Sequence, residues 1–400
     1  MHRFHISPFN ICLEPDMGLF DEDTNPWRRI PAAAMPTLTE EFLEKWRDPD
    51  EVIRHFPEVA LTFLPFRDSK KGSTLNSREA ARGAAKAVLQ MHSGLPRYLI
   101  VEASAVCQLS CGFCSSHSIA KLRRTPLLRR NDFEQFWRHA EFFTHSIDFS
   151  GGEPLLNPDL PAIVGIARKS GAYVTISTNG MLLNAEKTEE ILDTGPAAVI
   201  VSLDGADKAG YETARPGGDF ELLCENLRQF ASRARLRGLG RTLLGLRFLA
   251  TRRNFADRER YWKLGRRLGA DYGLLRHFRI PPDADPELRR RLLREEALLG
   301  EPESCYSLDA DGEMAILKEA SGCTRSRHPA YVGSGGELLR CVFFPRSTPI
   351  GNVVDAPFAE VWLSDENIRE RKRVIDEGLR PECKWCPGVW REDWFLEKWF

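Results

Sequence analysis

Three cysteines, Cys107, Cys111 and Cys114, stand close together in the stretch VEASAVCQLSCGFCS (101–115), spaced Cys-x3-Cys-x2-Cys. Thiolates this near one another can hold three corners of an iron–sulfur cluster, whereas a purely structural site is normally closed by four protein ligands. The missing fourth ligand is the informative feature. An iron without a protein thiolate keeps a position for a cofactor or substrate. A fragment of a zinc site and a chance group of buried thiols are the bland alternatives, because short motifs carry false positives. A second group lies far along the chain. Cys323 is followed by twelve residues, Gly336, four residues and Cys341, and later by Cys383-x2-Cys386. Four cysteines with no spare position describe a closed site, either all-cysteine zinc or a fully ligated 4Fe-4S cluster, and spacing does not choose between them.

Composition sets the frame for this chemistry. A chain of 400 residues exceeds what one core usually organises, so two or three units are expected. With 42% hydrophobic and 28% charged residues it reads as a globular protein. A net charge of -1 gives no global pull toward nucleic acid or an anionic membrane. No apolar run is long enough to span a bilayer and MHRFHISPFN lacks a signal-peptide core, so a cytoplasmic location is expected. Ten cysteines in a reducing compartment point to metal or redox chemistry rather than disulfides. Cys224 reads as a buried core thiol, and Cys12 and Cys305 have no supporting pattern.

From residue 97 strands and helices alternate. Strands are expected at 98–103, 146–150, 172–177, 198–203, 243–250 and 272–278, with helices at 132–143, 160–170, 185–192, 220–234 and 256–268. Repeated βα units imply an α/β fold with a parallel sheet and helices outside it. The unusual residues fall in register on it. The cysteines follow the first strand, Gly151-Gly152-Glu153 the second, Ser177 to Gly180 the third and Ser202 to Gly205 the fourth. Parallel sheets bind ligands at the C-terminal ends of their strands, where such loops converge. Turn chemistry explains any one of these loops alone; four in register are harder to dismiss.

These motifs together resemble the radical S-adenosylmethionine (radical SAM) superfamily, with Phe113 as the aromatic residue before the last cysteine. The second cysteine group, with Ile350-Gly351-Asn352 and Val361-Trp362 between its halves, resembles the SPASM or twitch extension of that family. The resemblance implies a partial (β/α)6 TIM-like barrel at 96–281. It also implies an N-terminal extension at 1–95, a connector helix at 282–304 and a C-terminal cysteine-rich domain at 305–400. It implies a 4Fe-4S cluster on Cys107, Cys111 and Cys114 that binds S-adenosylmethionine, and one auxiliary 4Fe-4S cluster on Cys323, Cys341, Cys383 and Cys386. Gly151, Gly152 and Glu153 are then expected at the methionine amino group, Ser177 and Asn179 at its carboxylate or ribose, and Ser202 and Asp204 beside the ribose or substrate.

By the same resemblance, the reduced cluster passes an electron to S-adenosylmethionine, and the resulting 5'-deoxyadenosyl radical takes hydrogen from a substrate inside the barrel. A low-potential donor such as flavodoxin or ferredoxin is the expected electron source. The expected substrate is a small polar metabolite, a sugar or aminocyclitol undergoing oxidation or dehydration. A maturase acting on a ribosomally made peptide is the alternative, and a non-catalytic protein stapled by metal is the third reading. Four features stay open. Residues 1–95 read as a small domain or a wrap around the core. Arg215 reads as well as a surface arginine as a site residue. The basic run KLRRTPLLRR (121–130) reads as a solvated loop or a greeting for an anionic substrate, and the tail GVWREDWFLEKWF places Trp390 and Trp394 on one face of a helix.

Overall fold

The computed structural model describes residues 95–96, 98–112, 114, 120–277, 286–295, 306–308, 314–316, 330–339, 349–369 and 395–399. Six strands form its centre: β1 (Tyr98–Ser104), β2 (Ser146–Gly151), β3 (Tyr173–Thr178), β4 (Ala198–Ser202), β5 (Leu243–Ala250) and β6 (Tyr272–His277). All five neighbouring pairs are parallel and in sequence order. Crossovers of one hand between strands laid down in sequence put every helix on the same face, and a twisted sheet so covered curves into part of a barrel. The crossover helices are α1 (Arg130–Ala140), α2 (Leu160–Lys169), α3 (Ala185–Thr194), α4 (Lys208–Ala214), α5 (Phe220–Leu236) and α6 (Arg258–Leu268).

The period of two along each strand separates two kinds of side chain. Leu99, Val101, Ile147, Phe149, Val174, Ile176, Leu244 and Phe248 join the apolar faces of the helices in one core. Phe133 on α1 shows how tightly this core is filled: it stacks on Trp137 at 5.3 Å and meets Phe149 edge-on at 5.6 Å. Burial of a side chain of this size contributes roughly 1.5–3 kcal/mol. Of the alternate positions, which face the concave side, Glu102, Asp148, Thr175, Ser177, Ser202 and Arg247 are polar, while Ile200, Tyr272 and Leu274 form a small apolar cluster. Such a face is unsuited to a closed core and suited to a ligand.

Strand and helix expectations hold to within a few residues. α4 was not expected; its seven residues are too few for a periodic signal, although Asp207 caps it by accepting from the Gly210 N–H at 2.9 Å. The tail departs from its helical reading: Phe395–Trp399 is a strand, β12, antiparallel to β6, because the open edge of the sheet offers it hydrogen bonds. Trp390 and Trp394 themselves lie outside the described residues. At the other edge β9 (Ala330–Val332) runs parallel to β1, followed by β10 (Glu337–Leu339) and β11 (Gly351–Asn352). C-terminal strands therefore extend the barrel sheet at both ends. In chain order α7 (Pro286–Glu295) and the antiparallel pair β7 (Tyr306–Leu308) and β8 (Met314–Ile316) come between β6 and β9, and α8 (Phe358–Trp362) comes between β11 and β12. Among the described residues no helix is long and apolar enough to cross a membrane.

The basic run is exposed at Lys121, Arg124, Arg129 and Arg130, as a solvated loop would be, but Arg123 is withdrawn from solvent. Arg123 forms a buried ion pair with Glu102, and Arg124 pairs with Asp355 at 2.9 Å while its N–H donates to Glu337 Oε1 at 2.6 Å. The Tyr331 hydroxyl adds a 3.2 Å bond to Glu102 Oε1. A loop just beyond the cysteines is thereby clasped to strands that come from the far end of the chain.

Candidate active site

The three cysteines leave β1 on a loop anchored near its start and again at Ser110. Near its start the Ser104 hydroxyl donates to Val106 O at 3.0 Å, and further along Ser110 N donates to Pro216 O at 3.1 Å. Cys114 N donates to Cys111 O at 3.0 Å, a tight turn that keeps the last two cysteines close along the loop. Donors converge on the sulfurs. Leu109 N and Asn179 Nδ2 point at Cys107 Sγ at 3.4 and 3.6 Å, and Arg215 Nη1 reaches Cys111 Sγ at 3.9 Å. All three cysteines are free thiols. Burial pushes the Cys111 thiol up to about 11 although Arg215 pulls the other way, and burial likewise raises Cys107. The proximity of Cys114 raises both further. Sulfurs that resist ionising alone, yet receive N–H donors, suit a cationic metal group that draws off their protons. Among the described residues no three His, Cys, Asp or Glu side chains cage a single ion. Three cysteine thiols, two of them receiving N–H donors, are a donor set that fits an iron–sulfur cluster with one iron left to another ligand.

The Gly-Gly-Glu segment passes close beneath this loop. Gly152 N donates to Ser104 O at 2.6 Å and Glu153 N to Val106 O at 2.8 Å. A Cβ on Gly152 would run into the Val106 carbonyl, and Gly151 sits at φ 115°. Only glycine permits both the approach and the turn. Glu153 is fully buried, and its carboxylate accepts from Leu155 N (3.0 Å), Thr178 Oγ1 (2.6 Å) and Asn179 N (2.8 Å). Burial raises its pKa while those donors oppose the rise. Both oxygens are engaged by protein donors, so Glu153 holds the loops after β2 and β3 together.

Asn179 completes that junction. Its Oδ1 accepts from Gln108 Nε2 at 3.3 Å and from Met181 N at 3.0 Å, while its amide nitrogen faces Cys107. Ser177, one turn of the pleat deeper, donates to Asp148 and accepts from Arg247. Ser202 ends β4 in register with Arg247. Asp204 is buried; its Oδ1 accepts from Leu249 N at 2.8 Å and its Oδ2 pairs with Arg215 at 2.6 Å. Burial works against the Arg215 charge, and Asp204 with Cys111 more than restores it, so the guanidinium stays above its ordinary value. Arg215 is thus a site residue rather than a surface one. Phe113, Cys323, Cys341, Cys383 and Cys386 lie outside the described residues. Sequence reasoning passed over Gln108, Asp148 and Arg247; the last two stand as charges inside β2 and β5, but what they pair with depends on the strand register.

Known proteins share this architecture and these motifs. A profile described as the Radical SAM superfamily matches residues 101–245, and one described as an iron–sulfur cluster-binding domain, SPASM, matches residues 323–387. The chain is 27% identical over 313 residues to a PqqA peptide cyclase of Streptomyces rochei, spanning 74% of this chain and 82% of that one. Against the PqqA peptide cyclase of Gluconobacter oxydans it is 31% identical over 293 residues, 67% of this chain and 76% of the relative. An AdoMet-dependent heme synthase of Methanosarcina barkeri is 24% identical, over 73% of this chain and 88% of that one. Among solved structures, Streptococcus suis SuiB bound to precursor peptide SuiA superposes with a TM-score of 0.53 at 17% identity, covering 84% and 82% of the two chains, a likeness of fold. The two profiles fall on the two cysteine groups, and the relatives align over two thirds or more of this chain. The chain therefore belongs to the radical SAM superfamily of enzymes, which use a 4Fe-4S cluster and S-adenosylmethionine, and it carries a C-terminal SPASM iron–sulfur domain.

Proposed function

We propose that this protein is a peptide maturase, which forms a cross-link in, or oxidises, a ribosomally made peptide. The observation that carries the reading is the sustained similarity to two PqqA peptide cyclases across about three quarters of each relative. It reverses the order of the sequence expectation, in which a sugar or aminocyclitol stood first. Residues 96–281 serve as the catalytic barrel, 282–304 as the connector, 305–400 as the auxiliary-cluster domain, and 1–95 as an extension before them.

Cys107, Cys111 and Cys114 would hold the catalytic cluster, and Cys323, Cys341, Cys383 and Cys386 the auxiliary one. The catalytic cluster with S-adenosylmethionine supplies, when bound, a carbon-centred radical able to take hydrogen from an unactivated position. The chain's own contribution is placement and exclusion of water. Asn179 and Leu109 N–H groups steady Cys107, Arg215 steadies Cys111, and the Glu153 junction fixes the glycine-rich backbone against the cysteine loop. The Gly151–Glu153 and Ser177–Asn179 segments with Ser202 line the rim where the methionine and ribose parts of the cofactor would be held. Asp204, committed to Arg215 and Leu249, shapes that rim rather than offering free oxygens.

The test is mass spectrometry of short peptides encoded beside the gene, each incubated with the reconstituted, reduced enzyme and S-adenosylmethionine. A change in hydrogen count that requires both wild-type enzyme and S-adenosylmethionine is expected. Turnover of a sugar, an aminocyclitol or an iron porphyrin, with every neighbouring peptide unchanged, would overturn the reading.

A further inference from the structure

The concave face of the barrel has two chemically unlike walls. On one side Ile200, Tyr272 and Leu274 form a small apolar cluster, and Tyr272 lies so close over Gly245 that a Cβ there would collide with its ring. On the other side Asp148 accepts from Thr175 Oγ1 at 2.7 Å and from Ser177 Oγ at 3.0 Å. Arg247 stands where the walls meet, and its Nη2 donates to Ser177 Oγ at 3.0 Å.

Arg247 differs from the other arginines withdrawn into this fold. Arg123 pairs with Glu102, Arg215 with Asp204 and Arg241 with Asp271. Among the described residues Arg247 makes the single bond to Ser177 and has no carboxylate within ion-pair distance. A guanidinium offers five N–H donors in one plane, so four find no acceptor among the described residues. Charge partly removed from water is costly until it is paired, which makes this a receptor for an anion. The Ser177 hydroxyl, donating to Asp148 and accepting from Arg247, fixes the guanidinium in advance, and a planar fork so held matches a carboxylate. The apolar wall beside it suits the hydrocarbon stem that carries such a group.

We propose that Arg247 binds a carboxylate of the substrate within the barrel, so that the peptide presents an acidic side chain or its C-terminal carboxylate at this point. The proposal rests on the peptide reading and narrows it.

Binding of N-acetylglutamate N-methylamide and of its glutamine counterpart, measured by calorimetry on the anaerobically reconstituted, cofactor-loaded full chain, tests it without turnover. The wild type is expected to prefer the acidic probe by roughly ten-fold or more. Arg247→Met is expected to abolish the preference and Arg247→Lys to keep part of it, at melting temperatures that show the variants folded. No preference in the wild type, or a preference that survives Arg247→Met, would overturn the proposal. Loss of S-adenosylmethionine affinity in Arg247→Met with the probe preference intact would reassign the residue to the cofactor's carboxylate, and would overturn it equally. Should the neighbouring peptides go unmodified while the acidic preference holds, the peptide reading fails and the anion site stands for another acid.

Discussion

Glu153 carries no exposed oxygen, yet it joins the two loops that flank the cysteines. Its carboxylate depends on Thr178 Oγ1 for one of its three bonds. Thr178→Val keeps the shape and removes the donor, so it should cost about 1–3 kcal/mol, read as a lower urea midpoint at unchanged slope. An unchanged midpoint would mean that the junction is held elsewhere. The cysteine spacing, Gly151-Gly152-Glu153 and Asn179 were legible because each motif is contiguous in sequence. Arg215 and Arg247 were not, because their meaning depends on Asp204, Ser177 and Asp148, which only the strand register brings beside them.

At the scale of elements, short apolar runs alternating with longer helical stretches located the barrel strands, since each strand must bury a face against helices. The α4 helix escaped because seven residues complete barely two turns. Its cap gives a pH-dependent prediction. The Gly210 N–H first, and Arg260 second, hold the Asp207 carboxyl below its ordinary 3.8. A depressed acid stabilises the fold above its ordinary pKa and loses that contribution as pH falls through the lowered value. Asp207→Ala should therefore cost about 1 kcal/mol at neutral pH, and the gap from wild type should close as the pH falls below 3.8. Melting curves across that range check both parts; a gap independent of pH would contradict the charge in the cap. The strand β12 was illegible for a different reason. Its partner β6 lies more than a hundred residues earlier, and a short segment takes the form of the edge it meets.

Across the whole molecule, strands from the C-terminal part close both edges of the catalytic sheet: β9 on β1 and β12 on β6. An unpaired edge templates association. Deleting residues 395–400 should therefore bare β6 and shift the protein toward oligomers on size exclusion, whereas a deletion protein that elutes as wild type does would show β12 to be dispensable. The same continuity clasps the loop beyond the cysteines to Glu337 and Asp355, so the fold ties its two metal-binding regions together mechanically. All of this geometry serves one chemical claim, that Cys107, Cys111 and Cys114 hold the cluster on which S-adenosylmethionine is cleaved. The direct measurement is 5'-deoxyadenosine formation by anaerobically reconstituted, reduced protein, comparing wild type with the variant in which all three cysteines are alanine. Product from wild type and none from the variant is the predicted result; equal product from both, or none from a fully metallated wild type with candidate peptides present, would contradict the account.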